Sequence, residues 1–410
     1  VSAATELIAV CGATNPSDDA GCGVLAWARW GLMTLTGPTT GPPTAPAGPA
    51  GRRIAGWLDD YHDIAGIDLD PGWLLAGRAA EVGCTRRGRV SVNGSARLLP
   101  ATDSWCAVNL ARPDDIDLLP AATATAVPTD DPWPALATWT AARSATDAVT
   151  ALQALGLPAA RLGEATGGSA VRTARHGASV SAARPPRVVD FSAMWAGPLA
   201  AHLLHRAGAT VRTAEDPRRP DGARFGPPGF YAGLHGGREH LEVDFSRPDR
   251  LRNLIADADV VIEASRPRAL RRLGLAAEDW LAARPGRVWL SITGYGRRGS
   301  AAERVAFGDD AAVAGGLVGV GDDGRPVFAG DAIADPLTGL RAATAVQQAR
   351  AAGGGVLVDV SMAGVCAEAM APGDGTAFGH RIVAAPSGWT VQHATGRPVD
   401  VRESPVGVSG

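Results

Sequence analysis

The chain has 410 residues, a net charge of −3 and 46% hydrophobic residues. That length supports two or three domains with a large core, and the near-balanced charge excludes a general nucleic-acid binder. All 39 basic side chains are arginine, which excludes a lysine Schiff base and a Walker A phosphate loop.

In chain order, the first pattern is Gly31-Leu-Met-Thr-Leu-Thr-Gly37 running on to Gly41-Pro-Pro43. It recurs as Gly316-Leu-Val-Gly-Val-Gly through Gly324-Arg-Pro326, an internal repeat in which Gly48 falls where Gly330 falls later. Counting from those glycines, the counterpart of Asp335 lies near Arg53 and is not an acid. Pro38 to Arg52 and Arg161 to Pro186 are rich in Pro, Gly, Ala and Ser and read as linkers.

From Arg187 the chain alternates strands and helices. Val188 to Phe191 is a short apolar strand, and Leu199 to Arg206 has helical spacing with Leu199, Leu203 and Leu204 on one face. Gly208 is placed to close that helix in a left-handed conformation. Ala209 to Thr213, Asp259 to Glu263 and Val288 to Ile292 are the next strands. Alternation of this kind predicts an α/β fold with a doubly wound parallel sheet. Ligands then bind beyond the carboxyl ends of the strands, where Ala196-Gly197, Arg266 and Gly294 fall.

Gly330-Asp-Ala-Ile-Ala-Asp335-Pro-Leu-Thr-Gly339 leads into a predicted helix over Leu340 to Arg350. An acid at a helix mouth is favoured by free amides and the helix dipole, so Asp335 reads either as a cap or as an ionised carboxylate nucleophile. Gly353-Gly-Gly355 reads as a turn before a strand at Val356, and the stretch from about Pro372 to Gly410 carries no recognisable pattern.

Six segments in order resemble the family III CoA-transferases, the group of formyl-CoA transferase, carnitine CoA-transferase and alpha-methylacyl-CoA racemase. They are Val188 to Pro198 with its Ala-Gly-Pro turn, Gly208 to Glu215, His240 to Phe245, Glu263 to Gly274, Ser291 to Gly296, and Val356 to Ser361. The resemblance runs from Arg187 to about Met370. It implies a Rossmann-like catalytic domain over 187–370, after a partial, smaller α+β region over 1–175 and a linker over 176–186, with a tail over 371–410. Asn93 to Leu110 and Thr146 to Ala160 resemble the family's small domain, which here comes first. The chain thus reads as the back half of one transferase joined to the front half of another.

The resemblance implies that Asp335 is the catalytic nucleophile, and that CoA moves between an acyl thioester and a carboxylic acid through aspartyl anhydride and thioester intermediates. It places CoA near Trp195, Ala196, Arg218, Arg224, Arg266 and Arg272. Arg forks suit phosphate, although the run of Arg266, Arg268, Arg271 and Arg272 also reads as a solvated helix face. Trp195 reads equally as an acyl-pocket wall or a core side chain. A racemase would need a second base, which its branch of the family carries as His; the gap-free match puts Phe307 and Gly308 there. Asp309 and Asp310 read as turn formers, and His202 and His205 as helix-surface residues without a third metal ligand. The family implies an interlocked homodimer, or here an intrachain pseudo-dimer. The alternatives are a non-catalytic CoA- or partner-binding relative and an acyl-CoA racemase or isomerase.

Five cysteines (Cys11, Cys22, Cys84, Cys106, Cys366) lack C-x-x-C spacing, which predicts reduced thiols in a cytoplasmic protein without a metal site. No apolar run reaches the roughly 18 residues of a membrane helix, and the N-terminus lacks a basic-then-apolar signal.

Overall fold

The computed structural model describes residues 7–13, 23–165, 169–181, 184–372, 376–386, 388–393 and 398–402. Its first region holds strand β1 (Leu7–Ala13) and helices α1 (Gly23–Arg29), α2 (Ala50–Ala65) and α3 (Pro71–Glu81). Asp70 caps α3, its carboxylate accepting the amides of Gly72 and Trp73, with Pro71 at the first helical position. A small α+β unit follows: β2 (Ala96–Pro100), β3 (Trp105–Asn109), α4 (Asp115–Thr123), α5 (Trp133–Ala141), α6 (Ala145–Ala154) and β4 (Ala159–Arg161). Its three antiparallel strands and helices enclose a separate core around Leu119, Leu136 and Leu152.

The second region opens with β5 (Val171–Arg175), β6 (Arg187–Asp190), α7 (Ala196–Arg206), β7 (Thr210–Glu215), α8 (Pro228–His235), β8 (Glu239–Glu242), α9 (Pro248–Ala256) and β9 (Val260–Glu263). It continues through α10 (Arg268–Arg272), α11 (Ala277–Ala283), β10 (Val288–Thr293), α12 (Gly308–Ala314), the β11 (Val318–Val320) and β12 (Pro326–Phe328) hairpin, α13 (Ala334–Ala351), β13 (Val356–Ser361) and α14 (Met362–Met370). The large sheet has seven strands in the order β5-β13-β10-β9-β6-β7-β8, parallel except for β5 at its edge. Every residue of β9 and β10 is buried, as expected of parallel strands covered on both faces.

The predicted strands at Val188, Ala209, Asp259 and Val288 and the helix at Leu199 all form, and Gly208 takes φ 93° just after α7. Two stretches differ from their composition. Residues 171–175, inside a run that reads as a linker, form β5 and pair with β13. Ala45 and Thr44, in the other such run, are buried, and Pro46 bridges Gly319. The described residues after Pro372 form β14 (Thr376–Ala385), β15 (Gly388–His393) and β16 (Val399–Asp400) in one antiparallel sheet with β1. The amide of Arg402 donates to Ala28 O at 3.1 Å, tying this sheet to α1.

The direction in which strands are added to the sheet reverses between β6 and β9: β7 and β8 lie on one side of β6, and β9, β10 and β13 on the other. The connections leaving the carboxyl ends of β6 and β9 therefore diverge, and the space between them is the crevice in which doubly wound sheets bind ligands. Among the described residues no helix is long and apolar enough to cross a membrane.

Candidate active site

Asp335 is the second residue of α13, whose N-cap is Ile333 with no side-chain cap bond. Its carboxylate therefore does not cap its own helix. It faces the backbone N–H of Ala196, which starts α7 at the carboxyl end of β6. Helices α7 and α13 approach so closely that a Cβ on Gly339 would sit 2.8 Å from Ala196 O. The crevice amide and the acid of the Asp-Pro-Leu-Thr-Gly motif are thereby brought together.

The loop that presents Ala196 is held by two buried acids. Asp190 accepts the Ser192 amide and hydroxyl, and Asp221 accepts the Met194 and Ala223 amides at 2.9 Å. Met194 itself takes φ 73°, an uncommon conformation for a side-chain-bearing residue. Trp195 is 5% exposed and packs edge-on against Phe230, with centroids 4.9 Å apart. Its ring belongs to the main hydrophobic cluster of the protein.

Burial pushes the Asp335 carboxyl up to about 7; Arg78 opposes that shift, whereas Asp309 and Asp331 reinforce it. Burial likewise pushes Asp309 and Asp310 up to about 7. Asp310 accepts the Phe307 amide and the Asn109 side chain at 3.0 Å, the turn-forming role its position suggests. Asp309 accepts the Ala332 amide at 3.1 Å. A side chain on Gly308 would collide with Ala332 O and with Asp335 Oδ2.

The predicted CoA contacts fall into two groups. Arg218 is held by Asp216 and Asp244, both at 2.7 Å, and Arg224 by Glu215 at 2.6 Å. Arg266 and Arg272 are exposed beyond β9, and no ion pair of theirs occurs among the described residues. Their neighbours Arg268 and Arg271 pair with Glu303 and Glu278. Those two arginines line a separate cleft of about 710 Å³ beside β5 and β13, away from the β6–β9 crevice. His202 packs against Trp73 at 6.0 Å and His205 Nδ1 lies 3.1 Å from Ala209 O. Cys84, Cys106 and Cys366 are free thiols, while the Cys11 side chain and Cys22 lie outside the described residues.

The sequence profile of the family described as CoA-transferase family III matches residues 186–398. The chain belongs to CoA-transferase family III. It is 31% identical over 188 residues to succinate–glutarate CoA-transferase of Agrobacterium fabrum, covering 40% of this chain and 47% of that protein. It is 29% identical over 205 residues to succinyl-CoA–D-citramalate CoA-transferase of Chloroflexus aurantiacus, covering 45% and 51%. A CaiB/BaiF family structure from Brucella suis superposes on 50% of this chain and 64% of its own with a TM-score of 0.45 and 25% identity. The chain thus spans about half the length of the curated family III relatives it matches.

Sequence reasoning missed Arg78, Asp331 and the proximity of Asp309 to Asp335. Arg78 lies on α3, in the first region; its Nε donates to Asp331 Oδ2 at 2.8 Å and its Nη2 to Oδ1. Its guanidinium lies 4.9 Å over the Trp195 ring and 5.9 Å from that of Phe230. Asp331 was visible in the motif as the acid after Gly330, but nothing local links it to a residue on α3.

Proposed function

We propose that this family III chain transfers CoA between an acyl-CoA thioester and a free carboxylic acid, with Asp335 as the covalent nucleophile. The observation that carries this reading is the Asp335 carboxylate against the Ala196 amide at the β6–β9 crevice. An N–H aimed at that point also suits the oxyanion that forms when a thioester carbonyl is attacked.

Asp335 attacks the thioester carbonyl, the C–S bond breaks, and CoA leaves as thiolate, giving a mixed anhydride. The thiolate attacks the aspartyl carbonyl and expels the acyl carboxylate, giving an aspartyl-CoA thioester. The acceptor carboxylate attacks that thioester, releasing thiolate and forming a second anhydride. Thiolate attack on the acceptor's carbonyl then yields the new acyl-CoA and restores the Asp335 carboxylate. No net proton and no oxidant is required. Arg266 and Arg272, exposed and outside any ion pair among the described residues, suit the CoA phosphates better than Arg218 and Arg224, which acids already hold.

The close packing of Gly308 on Asp335 argues against a second base from that position, as racemisation would need. Packing of α2 on α13 supports an intrachain pseudo-dimer. The test is exchange of labelled free acid into a panel of acyl-CoA esters, with hydroxylamine trapping and peptide mass spectrometry. Exchange with an adduct on Asp335, both lost in Asp335→Asn, is the expected result. Full exchange in Asp335→Ala would sink the assignment, and deuterium wash-in without acid exchange would favour a racemase. CoA binding with neither signal would favour a non-catalytic relative.

A further inference from the structure

Three carboxylates from separate segments converge at this site: Asp309 on α12, Asp331 in the loop before α13, and Asp335 on α13. Asp309 accepts the Ala332 amide, and its chain neighbour Gly308 abuts Asp335 Oδ2; the three act on one another electrostatically, and Arg78, forked on Asp331, acts on all of them. Among the described residues, the other elements acting on Asp335 are α7, which contributes the Ala196 backbone amide, and α14, which contributes the Cys366 thiol that burial keeps neutral. Three desolvated acids so close together cannot all ionise without a compensating charge.

Arg78 is fixed on two sides. Its fork is taken by both oxygens of Asp331, which is 2% exposed, and its flat face lies over Trp195. A planar guanidinium paired and stacked in this way is pre-organised, and a lysine ammonium could not reproduce both contacts. The helix that delivers it packs against α13 and belongs to the first region of the chain.

We propose that Arg78 is a positioning residue for Asp335: clamped by Asp331 and stacked on Trp195, it supplies from the first region the positive charge that lets Asp335 ionise beside Asp309 and Asp331. The proposal rests on Asp335 as nucleophile for its catalytic consequence, but the Arg78–Asp335 charge relation holds without turnover. Both can therefore be read separately on the full chain.

The first readout is a double-mutant cycle of chemical-denaturation midpoints for wild type, Arg78→Ala, Asp335→Asn and the double variant, at pH 6 and pH 8. The expected result is that Arg78→Ala costs clearly more at pH 8 when Asp335 is present than in the Asp335→Asn background. The gap should shrink at pH 6, as Asp335 takes up its proton. An equal cost in both backgrounds at both pH values would overturn the proposal. The second readout is the rate of hydroxylamine-trapped adduct formation on Asp335 against pH. Arg78→Ala should be about fivefold slower at pH 7, the effect of one unit of displaced titration on a group titrating near that pH, and recover most of that rate by pH 9. A loss equal at every pH would mark a structural role only and overturn the assignment. If wild type forms no adduct, the nucleophile reading fails while the cycle still judges Arg78. Should Arg78→Ala not accumulate as folded protein, Arg78→Lys carries both comparisons, with a smaller pH displacement expected because the charge is kept.

Discussion

Helices α1 and α2 and helices α12 and α13 are two versions of one device. In each, a seven-residue helix beginning with glycine leads to a left-handed glycine, Gly31 or Gly316, both at φ 77°, and then to a long helix. Each short helix packs on its long helix, and the two long helices pack on each other. The versions part at the second residue of the long helix, which is Gly51 in α2 and Asp335 in α13. Counting from Gly48 and Gly330 points to Arg53 instead, but α2 begins two residues after its glycine whereas α13 begins four after. In the early version a Cβ on Gly51 would collide with the Gly23 carbonyl, so the helices meet backbone to backbone. In the late version the space holds a carboxylate and its neighbours. One framework thus serves as packing in one place and as a candidate reaction centre in the other. The difference lies in whether the second helical residue carries a side chain.

The sharpest way to break this comparison is to fill the glycine gaps. Gly308→Ala should abolish Asp335 adduct formation, because its methyl overlaps Ala332 O and Asp335 Oδ2. Gly51→Ala should cost about 1–3 kcal/mol of stability by overpacking while leaving adduct formation largely intact. Paired denaturation and trapping measurements check both; normal adduct formation in Gly308→Ala would mean that this contact does not constrain the site.

A smaller effect is expected where the versions touch. Thr36, in the early version, accepts the Gly330 amide at 3.0 Å and the Trp27 indole N–H at 3.1 Å. Thr36→Val should cost about 1–3 kcal/mol, the penalty of leaving buried donors unpaired. Denaturant midpoints measure it, and an unchanged midpoint would show that the contact between the versions is not held by this hydroxyl.

The pH dependence of stability separates the site from another buried polar cluster. Asp309 and Asp335 have folded-state values raised to about 7, so the native state binds more protons than the unfolded chain between about pH 4 and 7. Their contribution to stability is full at the acid end of that window and is lost as pH rises through 7. His235 is buried and His202 half-buried, and desolvation lowers their values to about 3 and about 4. Their contribution is present above about pH 6.5 and is lost as pH falls through the lowered values. Asp309→Asn should therefore flatten the alkaline side of a stability profile, and His235→Gln the acid side. Identical profiles in Asp309→Asn and wild type would contradict the first assignment.

The smallest expected effect is Gly23→Ala. Its Cβ would lie 3.3 Å from Gly51 N, a contact that a shift of a few tenths of an ångström relieves. Adduct formation should stay within about twofold of wild type, against its loss in Gly308→Ala, its counterpart in the late version.

Reading the sequence was enough to find the strands at Val188, Val260 and Val288, the turn at Ala196-Gly197 and the Asp335 motif. Apolar runs bounded by glycine and acid at a helix start are local signals, set by neighbours within a few residues. The crevice followed from the order of the strands, which the structure supplied. Trp195 as a core residue, Arg218 and Arg224 tied up by acids, and β5 at the sheet edge were not legible in the same way. Each depends on which distant segment packs alongside, as with β5 on β13 or Arg78 on Asp331. The helix start that makes Gly51, and not Arg53, the partner of Asp335 was set by how closely α1 and α2 pack. The sequence by itself determined the central parallel strands and which acid stands at the head of α13. Only the tertiary structure decided which charges surround that acid, because ionisation in a desolvated site depends on groups brought together by folding and not on neighbours along the chain.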